Sequence, residues 1–195
     1  MVKQGYFSDM KIYLIILVII LTGITCSAQS RYFFNYNKNL EDILEENDTD
    51  TSRLTVIIDK SDYRLTLLSD TTVLKEYPVV FGKNPTDDKL RQGDKCTPEG
   101  VFYMRMKYPH LKWSKFIWIN YPTEDSWAKH NLAIQSGKIS EGSEIGGEIG
   151  IHGVPDGMDV LIDVRYNWTD GCVSLKNKDI NEIYPFISRS TRILI

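Results

Sequence analysis

Cysteine and histidine are both scarce in this chain, with three of each among 195 residues. So few cysteines exclude the disulfide-dense scaffolds that staple small secreted domains. His110, His130 and His152 lack the HxxxH spacing of common zinc sites, and the cysteines lack the CxxC spacing. No metal and no other cofactor is expected. An excess of one charge is missing too: 23 Lys and Arg face 26 Asp and Glu, for a net charge of −3. Nothing basic is concentrated enough to point to nucleic acid. Nor does any apolar run reach the roughly 20 residues that span a bilayer.

What is present begins with a leader. Ile12 to Ile24 is almost unbroken in apolar character, preceded by Lys3 and Lys11 and followed by Thr25-Cys26-Ser27-Ala28. A basic start, a short apolar stretch and small residues predict a signal peptide over residues 1–28, cut after Ala28. An uncleaved segment attached to the membrane is the alternative, and lipidation of Cys26 a further one. Export places the chain in the periplasm or cell envelope, where a bridge between Cys96 and Cys172 is permitted. Residues 29–52 mix aromatics with Asn, Asp and Glu without a sustained period and read as a linker. Within them Leu40, Ile43 and Leu44 make at most one or two amphipathic turns. The domain proper spans residues 53–195, long enough for one core. No oligomeric state follows from the sequence.

Within the domain the periodicity is that of strands. Leu54 to Asp59, Arg64 to Leu68 and Val73 to Phe81 are β-rich runs separated by turns, the pattern of a meander. A long polar loop from Gly82 to Glu99 leads into a strand over Val101 to Met106. Trp113 to Tyr121 is aromatic and β-rich; core packing is the plain reading, a carbohydrate-binding groove the other. Ala128 to Ile134 fits no element clearly. Ile180, Ile183, Tyr184 and Ile187 recur at helical spacing behind Asn177 as a cap, with Pro185 keeping the helix short. Arg192 to Ile195 can add a closing strand. The balance is a mostly β domain with few short helices.

The chemistry lies where glycines are dense. Gly171 allows a sharp turn that presents the next side chain and amide to a cleft, and the next residue is Cys172. Taken alone, Gly-Cys reads more readily as a small buried hydrophobe than as a nucleophile. His152, twenty positions earlier at the end of Ile149-Gly150-Ile151, shifts that balance, because a thiol acts as a nucleophile only when something takes its proton. The order, histidine before cysteine, separates the chain from papain-like enzymes. Asp156, Asp159, Asp163 or a backbone carbonyl could orient the imidazole. Exposed N–H groups near Gly171 and Cys172 could stabilise an oxyanion.

Together these residues resemble the YkuD-type L,D-transpeptidase catalytic domain of bacterial cell-wall enzymes. Val79-Val80-Phe81-Gly82 looks like the end of that domain's opening meander. Gly93-Asp94-Lys95-Cys96-Thr97-Pro98-Glu99-Gly100 is similar to its GD…TPEG segment, Gly150-Ile151-His152-Gly153 to its histidine motif, and Thr169-Asp170-Gly171-Cys172-Val173 to its cysteine motif. The resemblance implies a YkuD-like β-sandwich or partly open barrel. It further implies a cysteine acyltransferase acting on peptidoglycan stem peptides through a thioester, with release of D-alanine. Cys172 takes the nucleophile's place and His152 the base's; Gly171, Cys172 and Gly153 supply the oxyanion region. Two departures stand out. Asp170 occupies a position where many members have histidine, and Ser174 one where many have an arginine that can fork onto a substrate carboxylate. Lys176 or Arg165 could restore that charge. Thr169, Asp170, Ser174 and Arg165 are therefore the candidate substrate contacts. Hydrolysis by an L,D-carboxypeptidase and a non-catalytic wall-binding module are the alternative functions.

Overall fold

The structure, a computed structural model, describes residues 32–195. The predicted leader and the start of the predicted linker lie outside the described residues. The meander forms as expected: β1 (Leu54–Asp59), β2 (Arg64–Ser69) and β3 (Thr72–Pro78) pair antiparallel, with Leu54 opposite Ser69 and Arg64 opposite Pro78. Leu54, Val56 and Ile58 of β1 and Leu65 and Leu67 of β2 are buried at alternate positions, so one face of the meander is core.

The remaining strands are β4 (Val101–His110), β5 (Ser114–Ile119), β6 (Gly150–His152), β7 (Val173–Ser174) and β8 (Arg192–Leu194). The closing strand β8 runs parallel to β1 and antiparallel to β4, which joins the meander to everything that follows. All eight strands form one mixed sheet in the order β3-β2-β1-β8-β4-β5-β6-β7. The mostly β character with few helices holds as expected, and the single mixed sheet is not closed into a barrel. Past Pro78, which has no N–H to extend a ladder, the chain meets the far edge only through isolated bridges, Val80 to Ser174 and Gly82 to Thr169. The sheet curls toward closure without completing it, and the candidate site lies where those edges approach.

Among the described residues, four α-helices accompany the sheet: α1 (Leu40–Glu46), α2 (Glu124–Gln135), α3 (Val160–Asp163) and α4 (Asn177–Ile183). The first corrects the linker reading. The Asn39 side chain accepts the Glu41 N–H at 2.8 Å, and Leu40, Ile43 and Leu44 are all buried in the main core. Burying such side chains contributes about 1.5–3 kcal/mol each. Polar contacts fix the same segment. Buried Lys75 donates to the Lys38 carbonyl and lies 2.8 Å from Glu182 of α4, while the Tyr36 hydroxyl donates to Asp179 at 2.9 Å. The compact unit spans Phe33–Ile195, so α1 packs together with the predicted domain.

Helix α2 fills the stretch that fitted no element. It turns Ser126, His130 and Ala133 inward, so its buried face is small and polar rather than an apolar stripe. Helix α4 begins at Asn177 itself, and the Asn177 side chain, predicted to cap it, instead accepts the Val154 N–H at 3.0 Å. That contact ties the helix to the segment carrying His152.

Candidate active site

The parallel pair β6–β7 sets Ile151 beside Val173 and His152 beside Ser174. Side chains alternate along a strand, so His152 and Cys172 project to the same face, one step apart diagonally. Ile151 and Val173 project to the other face and anchor the pair in the core. Both side chains line a cavity of about 1250 Å³. Trp113, Trp118 and Trp127 give it aromatic surface, and Lys83, Lys89 and Lys95 give it positive charge. Thus Ile117 and Ile119 of the aromatic run pack in the core, whereas Trp113, Phe116 and Trp118 line the cavity.

His152 is only 1% exposed. Its ring stacks on Trp113, with centroids 4.5 Å apart, and on Phe116 at 5.4 Å; Trp168 meets it edge-on. Burial pulls its pKa down to about 4 against the favourable bond to Gly153, with His110 adding a smaller push in the same direction as burial. The neutral ring donates from Nδ1 to the Gly153 carbonyl at 2.6 Å, which leaves Nε2 as the acceptor. Of the predicted orienting groups, the backbone carbonyl is the one used. Asp159 accepts the Asn177 N–H and Asp163 pairs with Lys176, whose charge is thereby occupied.

Gly153 supports this arrangement by lacking a side chain. A Cβ there would lie 2.2 Å from Asn177 Oδ1 and 2.7 Å from the Trp113 carbonyl. Its N–H donates to Trp113 and its carbonyl accepts from both His152 and Ser174. It is a positioning residue and has no free amide for an oxyanion. Ser174 is fully buried and bonded to the same carbonyl at 3.2 Å, so it backs the imidazole instead of meeting substrate.

The turn before the thiol is equally specified. Gly171 adopts φ +141°, and a Cβ there would come 2.7 Å from the Cys96 carbonyl. The buried Thr169 hydroxyl donates to the Cys172 carbonyl at 2.7 Å and accepts the Gly171 N–H at 3.2 Å. The Gly171 amide is therefore spent inside the turn. The Cys172 N–H makes no hydrogen bond among the described residues, and it is the amide left to face an oxyanion.

Cys172 and Cys96 are both free thiols. Burial pushes the Cys172 pKa up to about 11; the Gly150 N–H and Lys89 act against this, while Asp170 and Glu148 add to it. The thiol sits 3.6 Å from the Glu148 carbonyl. With the cysteine high and the histidine low, the resting pair is a neutral thiol and a neutral imidazole. Cys96 is buried, with its thiol directed to the Asp94 carbonyl.

Two other predicted contacts part company. Arg165 lies over the Tyr63 ring at 5.0 Å and does not line the cavity, whereas Asp170 does. Sequence reasoning missed Lys89, which is 4% exposed and held 2.9 Å from Asp94. The Asp94 carboxylate also accepts the Leu90, Arg91 and Cys96 N–H groups, winding the loop around itself. Its place in the Gly-Asp pair was the available signal. Trp168, next to the cysteine turn, has its Nε1 buried without a partner among the described residues.

Comparison with known proteins bears on the family and the fold. A family model for the L,D-transpeptidase catalytic domain, YkuD, matches residues 53–195. The fold is similar to that of the helical cell shape determining protein Pgp2 from Campylobacter jejuni, with a TM-score of 0.54, 22% identity, and coverage of 80% of this chain and 54% of that one. It is also similar to Bd1075 from Bdellovibrio bacteriovorus, with a TM-score of 0.51, 22% identity, and coverage of 73% and 47%. The chain thus spans about half the length of these proteins. No curated protein matches the sequence. With the family model covering the whole sheet and both motif residues, the chain belongs to the YkuD family of L,D-transpeptidase catalytic domains.

Proposed function

We propose that this chain is a cysteine-dependent L,D-transpeptidase acting on peptidoglycan stem peptides in the cell envelope. The observation that carries this reading is the shared face of Cys172 and His152 in one cavity, with the imidazole tautomer set by the Gly153 carbonyl. A neutral thiol does not attack a carbonyl efficiently, so proton removal by His152 Nε2 accompanies formation of the carbon–sulfur bond. The resulting oxyanion is met by the Cys172 N–H. Collapse expels the amine of the terminal D-alanine, which takes its proton from His152, and leaves a thioester on Cys172. An amine from a second stem peptide then attacks the thioester, His152 accepts its proton, and the thiol is restored. The aromatic packing around His152 limits water near the base.

The test is mass spectrometry of the purified full chain incubated with disaccharide tetrapeptides under reducing conditions, beside Cys172→Ala. Loss of D-alanine with cross-linked dimers, absent from the variant, is the expected result. Tripeptide without dimers would assign a carboxypeptidase. No product and no adduct on Cys172 would leave a wall-binding module. Action in the envelope is consistent with export by residues 1–28, by a cleaved or a retained leader.

A further inference from the structure

Lys83 and Lys95 converge on one carboxylate. Their ammonium groups lie 3.3 and 3.0 Å from the same Asp170 oxygen, and all three residues line the cavity that holds Cys172. Two cations therefore share one anion, two residues before the nucleophile. Glu144 and Glu148 also line the cavity, yet neither forms an ion pair with these lysines among the described residues.

The lysines stand on backbone that is already fixed. The Lys83 N–H donates to the Thr169 carbonyl at 3.1 Å, and the Asn84 N–H to the Lys95 carbonyl at 3.0 Å. A Cβ on Gly82 would fall 2.1 Å from that Lys95 carbonyl, so the close approach depends on glycine there. The three chain segments bearing Lys83, Lys95 and Asp170 are thus stitched side by side. Little ordering is left for a ligand to impose on the backbone. All three side chains are substantially exposed, and such ion pairs contribute little to stability. Asp170 is consequently displaceable.

We infer that Lys83 and Lys95 form a fork that receives the free carboxylate of the donor peptide's terminal residue, with Asp170 holding the fork until substrate arrives. This rests on the acyl-transfer reading above and assigns the donor's carboxylate a place in that site. It also answers the departure at Ser174: a buried serine cannot grip a carboxylate, and the cavity rim supplies two ammonium groups instead. Lysine ammonium groups act as mobile point charges, so the fork selects charge more than shape.

The test is calorimetric binding of a disaccharide tetrapeptide and its C-terminal amide to the full chain carrying Cys172→Ala, where no turnover intervenes. The acid should bind about tenfold tighter than the amide, as expected for a charge-assisted hydrogen-bonding site. Lys83→Gln with Lys95→Gln should erase that preference while leaving amide affinity unchanged. Asp170→Asn, which removes the competing anion, should widen it. Raising ionic strength should shrink it. An acid-to-amide ratio near one, or a ratio that survives loss of both lysines, overturns the fork. Equal weakening of both ligands in the lysine variants also overturns it, because that marks a structural role. Failure of the acyl-transfer reading shows separately, as acid-selective binding without D-alanine release by the unsubstituted chain.

Discussion

The meander and the candidate-site edge of this sheet are built on different terms. Strands β1 and β2 have six residues each, pair along their whole length, and bury an alternating set of leucine, valine and isoleucine. At the other edge β6 has three residues and β7 two. Their surroundings are held by close backbone approaches and by buried polar groups such as Thr169, His152 and Ser174, each with a specific partner. The first region gains stability from area, which many apolar sequences can supply. The second depends on distances of a few ångströms, where one added methyl group or one lost acceptor displaces the reacting atoms.

The largest expected effect contrasts the two directly. Leu67→Ala in the meander and Gly153→Ala beside the histidine should each cost about 3 kcal/mol in urea unfolding. Only Gly153→Ala should also lower turnover of the folded fraction, on the order of 100-fold, because it shifts the acceptor that orients His152. Equal specific activities in the two variants would break the contrast.

Acid should expose the same difference. The fold lowers the His152 pKa from its ordinary value to about 4, so the unfolded chain binds the proton first as pH falls. The stability tied to the neutral ring is whole above about pH 6.5 and declines toward pH 4 by about 3 kcal/mol, then stops changing. Unfolding free energies across that interval, compared with His152→Gln, should show this slope in the parent and its loss in the variant.

Smaller effects test where the domain begins. Ile43→Ala should cost about 2 kcal/mol if α1 is core, while a linker residue would cost almost nothing. Asn39→Ala should cost about 1 kcal/mol through loss of the helix cap. Thermal unfolding of the two variants decides both.

Legibility followed the same divide. The meander was readable because its alternation is written residue by residue in Leu54 to Asp59 and Arg64 to Ser69. Helix α2 was not, although Thr123 and Ser126 form a capping box ahead of it, because its inward face of Ser126, His130 and Ala133 carries no apolar stripe. Helix α1 was read as linker for a related reason. Three apolar residues are too few to declare a helix, and their value comes from a core assembled mostly from later segments. Cys172 and His152 were legible as motif residues. Ser174 and Gly153 were legible as positions but not as roles, since the same residue types serve substrates elsewhere.

What the sequence determined by itself was the family, the strand-rich character, and Cys172 and His152 as the motif residues of the candidate site. These reside in local alternation and in ordered motifs, which need no knowledge of distant neighbours. Tertiary structure alone decided that the sheet stays open, that Arg165 turns to Tyr63, and that one amide remains free at Cys172. It also brought Lys83 and Lys95 to Asp170 across 87 and 75 positions of sequence. A hydrogen-bond donor or a charge is available or spent according to what folds against it, and that neighbour belongs to another part of the chain.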